Sequence, residues 1–247
     1  MKILLAPSET KTQGGTLPFE LSKLSFSSLT PLREKLLHDY TQEVTTSSTE
    51  ALKVFLGLKK EKELQRYGKP LWNSPTKKAI ERYTGVAFEK LDYPHLSPEA
   101  QRYLEENLIL FSNLFGILRP QDPLPDYRLK QGKELKGQKV EQLYKEHLSA
   151  LLDDYFEKEE ILDLRAHYYQ KFYTPSKNYT TLTFLKEGKV VSHWAKAYRG
   201  LVLRAIAQAH VTSIEALLAL PIQGLQLQEI QERKKYREII YTIHTPS

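Results

Sequence analysis

Between Leu108 and Gly132 the sequence reads LILFSNLFGILRPQDPLPDYRLKQG. Its first part is apolar enough to be buried. Its second part places Pro120, Pro123 and Pro125 within six residues and follows them with Asp126-Tyr127-Arg128. Proline fixes φ and removes a backbone donor, so no helix continues through Arg119-Pro120. A buried element therefore has to end there and feed a stiff, charged, aromatic loop, which is how a core presents side chains to a site. Leu108–Phe111 is read as a central strand. Arg119, Tyr127 and Arg128 are read as a phosphate or carboxylate clamp, because guanidinium groups hold such oxygens in a two-pronged fork. The other reading is a proline-stiffened connection whose arginines are merely solvated.

Before this stretch, Met1–Ala6 has the composition of a buried strand, ended by Pro7 and followed by the polar loop Ser8-Glu9-Thr10-Lys11. A loop at a strand's carboxyl end commonly faces a ligand, which makes Ser8 a candidate. Gln13–Ser28 reads as loop, and Leu32–Tyr40 as a helix with Leu32, Leu36 and Leu37 on one face. Trp72 is expected as a core anchor, and Thr76–Tyr83 as a short helix with Lys77, Lys78 and Arg82 outward. Gly85–Leu91 is expected as a strand. Ser97-Pro98-Glu99 has the cap, proline and acid of a helix start.

Charge is concentrated. The chain carries a formal net charge of +6. The segment Thr49–Arg82 alone has nine Lys/Arg against four Glu. Such a field favours anionic partners, nucleic acid among them. Within it, Ser47 or Ser48 can cap a helix bearing the stripe Ala51, Leu52, Phe55 and Leu56. Leu56-Gly57-Leu58 then precedes Lys59, Lys60 and Lys62 and a second helical run to Tyr67. An apolar-Gly-apolar turn between short helices is the pattern of a helix-hairpin-helix, in which glycine permits positive φ. Gly57, Lys59, Lys60 and Lys62 would then hold duplex DNA by its phosphates, insensitive to sequence and steeply dependent on salt. A plain helical corner with exposed lysines is the alternative.

After it, Lys139–Tyr155 is an amphipathic helix and Ile161–Leu164 a buried strand. Thr181–Leu185 and Val190–Trp194 flank a hairpin turn at Lys186–Lys189, and from Ala195 the pattern is helical. Lys196 and Arg199 share a face of that helix, with Arg204 on the same broad side. These cations are read either as phosphate ligands or as partners of Asp163 and Asp126. Gly200 is expected to allow close packing against a strand. Thr212–Glu215 starts another short helix, and the tail forms a closing hairpin.

Four segments also carry a resemblance. FSNLFGILRPQDPLPDYRLKQG is similar to the signature of the YaaA peroxide stress family, a Ser-x-Leu-Tyr/Phe-Gly-x-Leu-Arg-Pro run followed by Tyr-Arg-Leu-x-x-Gly. Lys2–Thr10, Ile161–Tyr169 and Val191–Arg204 resemble other family segments in the same order. The third departs from the family's Ala-Ser-x-Glu-Tyr: Arg165 and His167 stand where small or polar residues are usual, and Tyr168 where the acid sits. The resemblance implies a role in the bacterial response to hydrogen peroxide, limiting oxidative damage to DNA and proteins and lowering free iron. It also supports the helix-hairpin-helix reading of residues 46–68.

The expectation is a single α+β domain over residues 1–247: a mixed sheet surrounded by helices, with the helical hairpin projecting from it. Double-stranded DNA is the expected partner. An anionic small molecule is the alternative, bound as by an enzyme or ligand carrier in a pocket gathering Ser8, Arg119, Tyr127, Arg128, Asp163, Lys196 and Arg199. No catalytic residue, metal ligand or cofactor is assigned. There is no cysteine, so neither a disulfide framework nor a cysteine nucleophile exists. P-loop, GxGxxG, GxSxG and HExxH patterns are missing. No apolar run approaches the ~20 residues of a membrane span, and no signal peptide is visible, so a cytoplasmic location is expected.

Overall fold

Leu108–Ser112 becomes a strand buried at all of its positions, the result expected for an unbroken apolar run that can be covered on both faces. The computed structural model describes residues 1–244 and places this strand next to the first one of the chain. In chain order the elements begin with β1 (Lys2–Leu5), β2 (Leu17–Pro18) and α1 (Thr30–Thr46). They continue with α2 (Thr49–Leu56), α3 (Glu61–Tyr67), β3 (Pro75–Lys78), α4 (Ala79–Arg82), α5 (Val86–Leu91) and α6 (Pro98–Asn107). Next come β4 (Leu108–Ser112), β5 (Gly116–Leu118), β6 (Pro123–Pro125), β7 (Glu134–Leu135), β8 (Gln138–Lys139) and α7 (Val140–Tyr155). The chain finishes with β9 (Ile161–Asp163), β10 (Tyr179–Lys186), β11 (Lys189–Val190), α8 (Ser192–Gln208), α9 (Ile214–Ala219), β12 (Leu225–Glu232) and β13 (Tyr236–Ile243).

The main sheet is mixed, with eight strands in the order β12-β13-β10-β9-β1-β4-β5 and β11 paired to β10. Its middle is parallel: β1 runs with β4 and β9, and β10 with β9 and β13. Antiparallel β5, β11 and β12 complete it. The fold is therefore α+β with helices flanking a mixed sheet. One detail of the topology matters for function. From β1 the chain moves outward to β4 on one side, then returns to β9 on the other side and continues outward through β10 and β13. Strand order thus reverses between β1 and β9. The two loops leaving such a pair diverge, and the crevice beyond their carboxyl ends is where open parallel sheets take ligands.

Ser48 caps α2 by accepting a hydrogen bond from Ala51 N at 3.3 Å. Gly57 ends it with φ of 66°, the left-handed region where glycine has no Cβ penalty. Buried Leu52, Phe55 and Leu56 of α2 and Leu64 and Tyr67 of α3 belong to the common core. The pair packs on α1, where the Tyr40 and Phe55 rings lie 6.0 Å apart.

Several local expectations change. Val86–Leu91 is helical, not extended. Phe88 and Leu91, three apart, are buried while Glu89 and Lys90 face water, a helical period and not a period of two. Residues 76–83 split into β3, paired with β2 and β6, and the single turn of α4. Arg82 is buried, not outward. Its guanidinium donates to the carbonyls of Thr12, Gly14, Pro75 and Leu124 at 2.7–3.0 Å. Trp72 is 43% exposed, so it is no core anchor; it lies against Phe19. The hairpin after β10 has a second arm of only two residues, because the chain turns helical at Ser192. Gly200 packs against a helix and not a strand. A Cβ there would lie 2.1 Å from the Ala87 carbonyl oxygen, so α5 and α8 touch backbone to backbone.

A cationic cavity where β1 and β9 diverge

β1 ends at Leu5, and Pro7 prevents the chain from extending the ladder. On the neighbouring strand Leu164 N still donates to Leu4 O at 2.9 Å, after which the two chains separate. The loop leaving β1 is held by a second pairing. Thr84 N donates to Thr10 O at 3.0 Å and Thr12 N to Arg82 O at 2.9 Å, with Lys11 bridged to Tyr83 between them. Hydroxyls reinforce it: Thr84 Oγ1 donates to Thr10 Oγ1 at 2.9 Å, and Ser8 Oγ lies 3.1 Å from Thr10 Oγ1. The start of α5 and one face of α8 close the space. The result is a cavity of about 370 Å³ with Ser8, Thr10 and Thr84 on one wall and Ala87 and Phe88 on another; Lys196 and Arg199 also line it. Its size suits a small molecule or one group of a larger one.

The cations set its character. Lys196 is exposed and Arg199 half-buried. Burial lowers the Arg199 pKa, opposed by the field of Asp163. That aspartate is already engaged. Arg165 clasps it through Nε at 2.8 Å and Nη2 at 2.7 Å, and its own backbone N–H donates to Oδ1 at 3.0 Å. Among the described residues, Arg199 has neither a hydrogen-bonded acceptor nor an acid within ion-pair distance. Partly buried cations ordinarily have such partners, so an anion arriving in the cavity would find a guanidinium whose donors the protein leaves to solvent.

A narrow recess of about 10 Å³ adjoins this cavity, with Pro7, Ser8, Glu9 and Tyr169 lining both. Lys11 lines it and is only 8% exposed. Its Nζ sits 4.3 Å from the centre of the Tyr127 ring and 5.3 Å from that of Tyr83. Burial pushes the Lys11 pKa down to about 7, against the field of Asp126 and with help from Arg128. Tyr127 does not counter this with a phenolate, since burial holds its own pKa up at about 12. Its hydroxyl is shared with Ser112 at 2.7 Å and Tyr83 at 3.0 Å.

The structure brings Ser8, Lys196 and Arg199 to one cavity and Tyr127 and Arg128 to the recess beside it. Arg128 also reaches away from the recess, its Nε donating to Leu56 O at 2.9 Å at the end of α2. Asp163 lies behind the cavity, neutralised by Arg165. Arg119 is elsewhere: it is flanked by the Phe26 and Tyr155 rings, each 5.6 Å from the guanidinium carbon, and donates to Tyr155 Oη at 2.7 Å. Asp126 pairs with Arg66 at 2.6 Å and so serves none of the α8 cations, while Arg204 pairs instead with Asp92 at 3.2 Å. Gly57, Lys59, Lys60 and Lys62 lie on the α2–α3 turn and the start of α3, all exposed.

Sequence reasoning missed Lys11, Thr84 and Tyr169 as lining residues. Lys11 had a visible signal, being four residues past a proline that ends a buried strand. Tyr169 had none beyond its place after β9. Among the described residues no group of three or more His, Asp or Glu stands close enough to hold a metal ion, and no helix is long and apolar enough to cross a membrane.

Comparison with known proteins places this arrangement. A family profile described as "Peroxide stress protein YaaA" matches residues 1–231. An uncharacterized protein of Campylobacter jejuni is 43% identical over 244 residues, 98% of this chain and 99% of the relative. A UPF0246 protein of Corynebacterium glutamicum is 32% identical over 250 residues, 97% and 98% of the two chains. One of Streptomyces coelicolor is 30% identical over 216 residues, 83% and 82%. With Ser8, Gln131, Tyr169 and Arg199, one from each of the four signature segments, lining one cavity, the chain belongs to the peroxide stress protein YaaA family, to which it is similar over almost its whole length.

Proposed function

We propose that this peroxide stress protein acts in the cytoplasm by holding duplex DNA through its phosphates, without sequence preference, and so helps limit iron-dependent oxidative damage. The observation that carries the reading is a contrast among the lysines of the α2–α3 hairpin. Lys53 is held by Glu50 and Glu61, both at 3.3 Å. Lys59, Lys60 and Lys62 are exposed and have no acid within 4 Å among the described residues. Lys130 adds to them, its side chain passing 3.1 Å from the position of a Cβ on Gly57. Unpaired lysines on a turn cost the fold nothing and are free to displace counterions from DNA. Three such contacts give a logarithmic salt slope of roughly −2.7.

Fluorescence anisotropy of a labelled duplex across a salt series tests this. Affinity is expected to fall with salt at about that slope and to collapse in Lys59→Glu/Lys60→Glu, whose folding circular dichroism would verify. Absence of binding at low salt, or affinity indifferent to the double substitution, overturns it.

A second reading is favoured by Arg199. Its guanidinium, without an acidic partner among the described residues, supports a small anionic ligand in the cavity, such as a nucleotide or another phosphorylated compound. The two readings use different residues and fail separately.

A further inference from the structure

We propose that Lys11 is a carbonyl-reactive amine: its Nζ condenses to an imine with a small aldehyde or ketone that carries an anionic group. This rests on the anionic-ligand reading of the cavity, where Arg199 and Lys196 would hold the anion while the carbonyl reaches the recess past Ser8.

The geometry around Nζ is poor in partners for an ammonium. Its acceptors are the carbonyl oxygens of Ser8 and Glu9, each at a long 3.4 Å. No carboxylate lies within 4 Å. Asp126 gives both oxygens to Arg66, at 2.6 and 3.0 Å. Glu9 is turned toward Arg128, at 3.7 Å. Arg66 and Arg128 instead add positive charge nearby. The Tyr83 and Tyr127 rings offer faces, which attract a cation more weakly than a carboxylate does. A lysine with a pKa near 7 is substantially unprotonated at neutral pH, and the free amine is the nucleophile.

Position supports the same conclusion. Lys11 is fixed at both flanks by the Thr10–Thr84 and Thr12–Arg82 hydrogen bonds. The recess it lines has room for about one water, enough for a carbonyl oxygen but not for a whole ligand. The body of the ligand has to lie in the larger adjoining cavity. The chemistry balances without an oxidant or reductant. The Nζ lone pair forms a C–N bond, the carbonyl oxygen takes a proton to give a carbinolamine, and loss of one water with an N–H proton leaves C=N.

The test uses the intact protein at pH 7 with glycolaldehyde phosphate or glycolaldehyde, followed by borohydride reduction and peptide mass mapping. Exposed Lys59, on the α2–α3 turn, is the internal reference. Lys11 is expected to label at least about tenfold faster than Lys59, with the phosphate compound preferred. In Arg199→Ala, checked for folding by its thermal melt, the phosphate preference should vanish while glycolaldehyde still labels Lys11. Lys59 labelled and Lys11 unmodified overturns the amine assignment and identifies Lys11 as packing between two tyrosines. Equal labelling of Lys11 by both probes, unchanged in Arg199→Ala, overturns the anionic handle and with it the cavity reading.

Discussion

Two sets of buried or half-buried cations sit in this molecule and are satisfied in opposite ways. Arg33 and Arg82 are nearly or fully inaccessible yet saturated. Arg33 donates to the carbonyls of Ser25, Phe115 and Ile117 at 2.6–3.0 Å, and Arg82 to four others. Each ties a loop to a strand: Arg33 joins Ser25 to β5, and Arg82 joins the Thr12–Gly14 segment to β3 and β6. Lys11 and Arg199 are also desolvated, but their donors meet long contacts or none. The difference teaches that burial alone does not mark a functional cation. The measure is how many of its donors the protein itself consumes.

The comparison can be broken at several points. Arg82→Met should have the largest effect. It strips four carbonyls of their donor, that of Leu124 buried and the other three partly so, and each unsatisfied buried group costs about 1–3 kcal/mol, so a loss of about 3 kcal/mol is expected in chemical denaturation. A loss below about 1 kcal/mol would erase the distinction.

Lys11→Met should act in a pH-dependent way. A basic group whose pKa falls on folding destabilises the native state fully below the folded value of about 7. That cost is relieved as pH rises toward the unfolded value of about 10.4. The wild type should therefore gain stability relative to Lys11→Met across pH 7–10, by up to about 1.4 kcal/mol per pH unit. Parallel pH profiles would mean that Lys11 titrates normally.

Arg199→Ala should have the smallest effect on stability, within about 1 kcal/mol and in either direction, because no acid among the described residues loses a partner. Phosphate binding followed by calorimetry should be weakened by tenfold or more. A large destabilisation with unchanged binding would move Arg199 into the structural set.

Much of this was legible in the sequence. The unbroken apolar runs gave β1, β4 and β9, and Pro7 and Pro120 marked where the chain leaves the sheet after β1 and β5. Ser8, Lys196 and Arg199 were readable because strand ends and helix faces follow from local pattern. Arg119 was not separable from them, since Tyr155 is brought to it by packing that no local pattern encodes; Asp163 instead turns to Arg165, two residues on. Arg82 looked like a surface cation for the same reason: its acceptors come from the Thr12–Gly14 loop and from β3 and β6. Val86–Leu91 misled because six residues are too few to distinguish a period of 3.6 from a period of two.

The pairing of β1 with β9 also has a consequence for how the protein is made. Ser8 lies far ahead of Arg199 in the chain, with β9 between them. At ~5–20 residues per second, roughly ten to forty seconds of synthesis separate the two walls of the cavity. During that interval β4 is delivered to one side of β1 and β9 later to the other, and the cavity gains Lys196 and Arg199 only when α8 follows.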